Sequence, residues 1–289
     1  MKGNNIFSKL FVSGDWQVLV YHCDNKVFIK NTKNFWFADP FLIEHNGEKF
    51  LFVEAFEKKK EIGRIGFFRS SDNFTQLSLL ITKKYHLSYP NVFLFENNFY
   101  MIPETSENGT IDLYIFNDFP FSISFKNTIM KGNYVDTSVV LKFEKSFLLS
   151  TYDNKSKKNI FFLYDMEKQQ CEIIKTFDDD LHVLRPAGNA YVRNGRLFMP
   201  FQNCRKKYGE NIIIKELKIL NKDIEICEES HTFIEENKLI LNVDRVHTLN
   251  ILNDHCLTLD FMIEKISLLK PIKMLKRKIR RFFHKKSGK

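Results

Sequence analysis

Apolar residues in this chain fall in short runs separated by polar turns, the pattern of many short β-strands. Five segments repeat one grammar: a polar or proline-containing apex, an apolar run, a polar turn, and a second apolar run ending in a polar residue. They are Phe37 to Glu57 (FADPFLIEHNGEKFLFVEAFE), Leu87 to Glu107 (LSYPNVFLFENNFYMIPETSE), Tyr134 to Asp153 (YVDTSVVLKFEKSFLLSTYD), Leu184 to Asn203 (LRPAGNAYVRNGRLFMPFQN) and Arg245 to Met262 (RVHTLNILNDHCLTLDFM). The apices fall at Asp39, Pro90, Asp136, Pro186 and His247, in steps of 51, 46, 50 and 61 residues. Between the two runs lie His45-Asn46-Gly47, Glu96-Asn97-Asn98, Arg193-Asn194-Gly195 and Asn253-Asp254, residues that suit tight hairpins.

Third strands are expected at Arg64–Arg69, Ile111–Phe116, Ile160–Tyr164 and Ile212–Leu217, and fourth strands at Leu77–Thr82, Ser124–Met130, Cys171–Thr176 and Ser230–Ile234. A recurrence of strand units near 50 residues predicts an all-β, five-bladed propeller over residues 1–264. A β-sandwich also spaces short strands regularly, but it does not explain that recurrence. The fifth unit lacks outer strands. The orphan strand Trp16–Tyr21 is placed to complete it, closing the ring and hiding an edge.

A propeller has a chemical consequence, because the first strand of every blade lines the central axis. Asp39, Tyr89, Asp136, Arg185 and His247 are then expected at one end of one channel, with Glu54, Glu104, Tyr152 and Gln202 as its wall. A carboxylate buried beside apolar strands costs several kcal/mol without a partner, so Asp39 and Asp136 must be hydrogen-bonded, paired with a base such as Arg185, or used. For a single residue, capping the channel is explanation enough. Ring closure alone does not call for acids, a base, a tyrosine and a histidine together.

Composition refines this picture at the end of the chain. Hydrophobic residues make up 44% of the 289 residues and charged residues 27%, ordinary values for a globular domain. Yet the net charge of +9 is concentrated: residues 265–289 hold 11 Lys and Arg and no acid, leaving a slightly acidic body. In that stretch Leu268, Leu269, Ile272, Leu275, Ile279, Phe282 and Phe283 recur at helical steps, with Pro271 suited to a first turn. An amphipathic basic helix is expected there, with Lys270, Lys273, Lys276, Arg277, Arg280 and Arg281 facing an anionic membrane surface. The acidic body offers nucleic acid no basic groove.

Cys23, Cys171, Cys204, Cys227 and Cys256 form an odd set without a CxxC pair, read as free thiols in a reducing compartment. With no signal-peptide core near Met1, a cytoplasmic protein peripheral on the inner face of the membrane is expected. The histidines show no HExxH spacing, Asp178-Asp179-Asp180 reads as a solvated loop, and no metal is expected. P-loop and GxGxxG motifs are absent, so a sugar nucleotide, if it is the donor, would be held by other means.

Phe37-Ala38-Asp39-Pro40-Phe41-Leu42, Phe52-Val53-Glu54, Leu87-Ser88-Tyr89-Pro90, Met101-Ile102-Pro103-Glu104-Thr105, Val135-Asp136-Thr137, Arg185-Pro186-Ala187-Gly188, Gln202 with Tyr208-Gly209, and His247-Thr248-Leu249-Asn250 occur in that order. This set resembles the propeller domain at the N-terminus of plant glucosamine inositolphosphorylceramide transferases and similar bacterial proteins associated with surface polysaccharide synthesis. More distantly it is similar to five-bladed glycoside hydrolases. Those enzymes place an Asp in the first blade, a second in the third and a Glu acid in the fourth. Asp39 and Asp136 match the first two, but the fourth apex offers Arg185 and no Glu.

Hydrolysis needs a protonated carboxyl behind the leaving group, whereas a phosphate leaving group needs positive charge. The resemblance therefore implies a glycosyltransferase, or its sugar-recognition module, moving a sugar from an activated donor to a lipid-linked acceptor. Asp39 would be base or hydroxyl anchor, Glu104 and Asp136 its partners, Arg185 and His247 leaving-group contacts. Glu54, Tyr89, Gln202 and Asn250 would complete the sugar site. A propeller-type glycosidase and a non-catalytic glycan-binding propeller are the alternatives.

Overall fold

A computed structural model describes residues 12–220, 223–232 and 243–266. These form five antiparallel sheets arranged as blades. Blade 1 comprises Phe35–His45, Glu48–Glu57, Ile62–Arg69 and Ser78–Ile81; blade 2 comprises Ser88–Phe95, Asn98–Thr105, Thr110–Asp118 and Ser122–Lys131. Blade 3 comprises Tyr134–Lys142, Ser146–Asp153, Lys158–Asp165 and Gln170–Asp178. In blade 4 an interrupted first strand, Arg185–Pro186 and Tyr191–Arg193, precedes Arg196–Asn203, Asn211–Leu220 and Asp223–Thr232.

Blade 5 joins the two parts of the chain. Leu249–Asn253 and Cys256–Phe261 pair with Gln17–His22, and Asn25–Ile29 adds the outer strand. The N-terminal strand thus closes the ring as expected, while Asn25–Ile29 was not foreseen. Its Val27 and Phe28 stay exposed, so no two-sided apolar run marks it.

The inner strands are apolar on both faces because each face packs against a different blade. In Glu48–Glu57, Phe50 and Phe52 join a core with Val92, Met101 and Tyr114 of blade 2, while Leu51, Val53 and Ala55 join Val18, Val20 and Cys256 of blade 5. Further cores unite blades 2 and 3 around Leu113, Phe147 and Phe162, blades 3 and 4 around Phe161 and Phe201, and blades 4 and 5 around Ile212 and Leu259. Five inter-blade cores for five blades are the signature of a closed ring.

Hairpin turns follow the residues that mark them: Asn46-Gly47, Glu96-Asn97 and Asn194-Gly195 each have positive φ at both positions. The turn after Asn253 holds without it. The fourth strand of blade 4 lies at Asp223–Thr232 rather than Ser230–Ile234. An outer strand buries one face only, so its acids at Asp223 and Glu225 hid it. Asp178-Asp179-Asp180 also differs from a solvated loop. Asp179 is buried and its carboxylate accepts the Val183 amide at 2.7 Å, capping the turn that leads to the fourth apex. The basic helix expected over Leu268–Phe283, with Lys270, Lys273, Lys276, Arg277, Arg280 and Arg281, lies outside the described residues; Lys265–Ile266, just before it, pair with Val12–Ser13.

Candidate functional site

The apices of the first strands are irregular in one consistent way. Asp39, Tyr89 and Asp136 have φ of 50°, 48° and 52°, and each sits at a break in pairing with the second strand, between Ala38 and Phe41, Ser88 and Asn91, and Val135 and Ser138. Left-handed backbone at a non-glycine residue costs about 1–3 kcal/mol and gathers at functional sites. Here the bulge turns each apex out of the ladder, aiming the carboxylates of Asp39 and Asp136 and the amide of Tyr89 at the site.

Two clusters result. In the first, Asp39 of blade 1 meets His247 and Asp260 of blade 5. Asp39 accepts hydrogen bonds from the Thr248 hydroxyl at 2.7 Å and the Tyr89 amide at 3.1 Å, and His247 Nε2 lies 3.5 Å from its Oδ1. Asp260, wholly buried, accepts the amides of Asp39 at 2.8 Å, Thr248 at 2.9 Å and His247 at 3.2 Å, and lies 2.7 Å from His247 Nδ1. The imidazole is sandwiched on its face by Trp16, with ring centres 3.9 Å apart. These three residues bring donor atoms within 4.8 Å of one another, the spacing of a metal site. Their oxygens are instead occupied by amides, a hydroxyl and the imidazole, which satisfies the group internally.

In the second cluster, Arg185 of blade 4 places Nε 2.5 Å from Asp136 Oδ2 of blade 3, and Gln202 Nε2 donates to the same oxygen at 2.8 Å. Glu104 of blade 2 lies 4.0 Å from the Arg185 Nη2 and accepts the Ser106 hydroxyl at 2.8 Å. Tyr208 links the clusters: its ring covers the Arg185 guanidinium at 5.2 Å and meets the His247 ring edge-on at 5.2 Å. Arg185, Glu104 and Tyr208 keep partial exposure, so this is the solvent-facing side of the cluster. A layer deeper, Asn91, Asn189 and Asn250 plug the axis, exchanging bonds with each other and with Pro40 at 2.8–3.0 Å.

Burial and charge set the protonation states. Burial, reinforced by Asp260 and Glu54 and opposed by His247, raises Asp39 to about 7. Burial and the neighbouring Asp136 carboxylate raise Glu104 to about 8, with Arg185 acting against them. Against the desolvation it suffers, His247 is raised to about 9 by Asp260 and Asp39. All three native values lie above the unfolded ones. The native state therefore holds more protons: the contribution of Asp39 and Glu104 is complete below their ordinary values of 3.8 and 4.5 and is lost as pH climbs through about 7 and 8, and that of His247 is complete below pH 6.5 and is lost as pH climbs through about 9. For His247 alone this amounts to on the order of 3 kcal/mol. Calorimetry between pH 6 and 9.5 should show the melting temperature falling throughout, with a shallower fall in an Asp39→Asn, Glu104→Gln variant.

Residues 13–255 match the family described as glucosamine inositolphosphorylceramide transferase 1, N-terminal. The chain belongs to this family. Among its curated relatives, glucosamine inositolphosphorylceramide transferase 1 of Arabidopsis thaliana is 29% identical over 227 residues, covering 73% of this chain and 29% of that protein. The enzyme of the same name in Oryza sativa subsp. japonica is 28% identical over 200 residues, covering 64% and 27%. This chain spans less than a third of the length of either. The fold is shared with a β-xylosidase/α-arabinofuranosidase from a compost metagenome (TM-score 0.54, 14% identity, 75% of this chain and 84% of that one). It is shared too with the catalytic domain of an α-L-arabinofuranosidase of Coprinopsis cinerea (TM-score 0.52, 12% identity, 78% and 90%).

In this glucosamine inositolphosphorylceramide transferase N-terminal family propeller, Asp39, Glu104, Asp136, Arg185, Gln202 and His247 converge as the repeat predicts. The Tyr89 side chain does not reach the pocket. It is fully buried against Phe41 with its hydroxyl 2.7 Å from Ser138, and only its amide serves Asp39. Asn250 belongs to the axial plug, its amide donating to the Pro40 carbonyl at 2.8 Å. Glu54 is buried with Oε1 3.2 Å from His86 Nε2, and Gly63 is needed beside it, since a Cβ there would stand 2.7 Å from that oxygen. Asp260 and Trp16 were missed. The signal for Asp260 was a lone acid between Leu259 and Phe261 in an apolar run.

Proposed function

We propose that this propeller is the sugar-handling module of a glycosyltransferase in cell-surface polysaccharide or glycolipid synthesis, moving a sugar from an activated donor to a lipid-linked acceptor. The observation that carries the reading is the fourth apex, where a guanidinium bound by Asp136, whose carboxylate Gln202 holds in turn, fronts the pocket. Arg185 spends Nε on Asp136, which leaves its Nη donors for a ligand. Together with His247, held protonated by Asp260, it offers the positive charge that a departing phosphate or nucleotide requires. Asp39, raised to about 7, sits at the value where a carboxylate can take a proton from an acceptor hydroxyl near neutrality. Glu104 and Asp136 hold Arg185 in place, and Gln202 and Glu54 complete the polar wall.

The plant relatives, by their name, act on inositolphosphorylceramide, and that likeness supports a lipid-borne acceptor. The basic residues from Lys270 to Arg281 would bring the channel to the anionic inner face of the membrane. One observation favours glycoside hydrolysis as a second reading: Glu104, raised to about 8, is a protonated carboxyl beside a carboxylate.

Release of nucleotide from a panel of sugar nucleotides, alongside chromogenic arabinosides and xylosides, separates the two. Transfer predicts nucleotide release that falls at least about 100-fold in Asp39→Asn and no cleavage of the chromogenic substrates. Cleavage abolished in Glu104→Gln would establish the hydrolase instead. Unchanged turnover in Asp39→Asn would remove the channel from the chemistry.

A further inference from the structure

A second concavity opens on the rim of blade 1. Phe35 begins the first strand of that blade and pairs with Glu57, just as Ala38, next to the Asp39 apex, pairs with Glu54. The groove of about 600 Å³ that starts at Phe35 and Glu57 therefore opens at the same strand ends as the channel, farther from the axis. Its far wall is the outer strand Ser78–Ile81 and the residues that follow.

Four bases line it, Lys60, Arg64, Lys83 and Lys84, with Glu57 as the one acid. Glu57 is already shared, 3.0 Å from the Lys60 ammonium and 3.5 Å from the Arg64 guanidinium. Arg64 is buried and fixed, donating also to the Lys83 carbonyl, and this holds the Lys83–Lys84 segment against the groove. Among the described residues no ion pair joins Lys83 or Lys84 to an acid, and the Lys83 ammonium lies 5.9 Å from the centre of the Tyr114 ring of blade 2. The body of this chain is slightly acidic, so a net excess of three positive charges in one concavity is a local departure. Glu57 answers only one of these charges, and like charges in excess of their counter-ion destabilise the compact state and favour an anion that neutralises the excess. Beside them Leu79 lies 47% exposed, and with Phe35 it gives the groove an apolar wall next to its basic floor.

We propose that this groove binds the phosphate head of an amphiphilic phospholipid, its phosphate among Lys60, Arg64, Lys83 and Lys84 and the first apolar segment of its chain against Leu79 and Phe35. The proposal goes beyond the reading of the channel and does not depend on it. A phosphate offers several acceptor oxygens to four donors, whereas a carboxylate would leave donors idle. An apolar wall adds affinity only for a ligand that carries a chain.

Calorimetric titration of the full chain with monomeric dihexanoyl phosphatidic acid tests this, with inorganic phosphate and dihexanoyl phosphatidylcholine as comparison ligands. Saturable binding of the phosphatidic acid is expected, stronger than that of either comparison ligand. A Lys83→Glu, Lys84→Glu variant should weaken it more than about 10-fold and Leu79→Ser about 3-fold. The same reversals at Lys155 and Lys168, on exposed turns of blade 3, should leave it unchanged, as should Asp39→Asn in the channel. Equal affinity for inorganic phosphate would overturn the lipid assignment. Equal loss from the blade 3 reversals, or none from the groove reversals, would overturn the site. Binding lost in Asp39→Asn would return the ligand to the channel.

Discussion

Arg185→Ala should destabilise the propeller by about 3–5 kcal/mol and lower its melting temperature by roughly 10 °C. The side chain is 18% exposed and its partner Asp136 only 4%, so removing the guanidinium strands a carboxylate that water cannot reach. Gln202 remains as one neutral donor at 2.8 Å, too little to replace a charged one. Glu104 suffers as well, because Arg185 opposes the burial and the Asp136 charge that raise its carboxyl. A denaturant titration of the single variant, of Asp136→Asn and of the Asp136→Asn, Arg185→Met pair makes the point quantitative. The pair should recover most of the loss, since removing both charges leaves nothing unpaired. A loss below about 1 kcal/mol in Arg185→Ala would mean that the pair is solvated and weak. The pocket would then lack the fixed cation on which the proposed glycosyl transfer rests.

Much of this architecture is written in the chain. Strands buried on both faces read as continuous apolar runs, and Phe50 to Ala55 is such a run because alternate residues serve blades 2 and 5. The recurring apex put Asp39, Asp136, Arg185 and His247 at one end of one axis without any knowledge of pairing. What stayed hidden has physical reasons. Outer strands pack on one side only, so Asp223–Thr232 and Asn25–Ile29 carry a diluted pattern. Tyr89 shares the apex position and the left-handed backbone of the two aspartates, but the bulge delivers its amide to the site and its ring to the core. No pattern of residue types distinguishes those two outcomes.

Asp260 is the other residue whose replacement should have a large effect. It comes from the second strand of blade 5 and binds the amide of Asp39, 221 residues away, at the seam where the last blade meets the first. Asp260→Ala would leave three buried amides and an imidazole without their acceptor. At about 1–3 kcal/mol for each stranded group, the loss should reach about 4 kcal/mol or more, enough to empty the soluble fraction at 37 °C. Asp260→Asn is the informative change, because it keeps the shape and one carbonyl oxygen. That oxygen can still serve His247 and Thr248, but the new amide nitrogen faces the Asp39 amide donor to donor. The charge that holds His247 near 9 is gone too. The imidazole should then titrate nearer its ordinary value, followed by NMR of its ring protons, and the fall in stability toward alkaline pH should shrink with it. If His247 titrates unchanged in Asp260→Asn, Asp39 alone maintains the imidazolium. If it shifts, the bond that closes the ring is also the one that sets the charge of the pocket, and fold and chemistry rest on the same carboxylate.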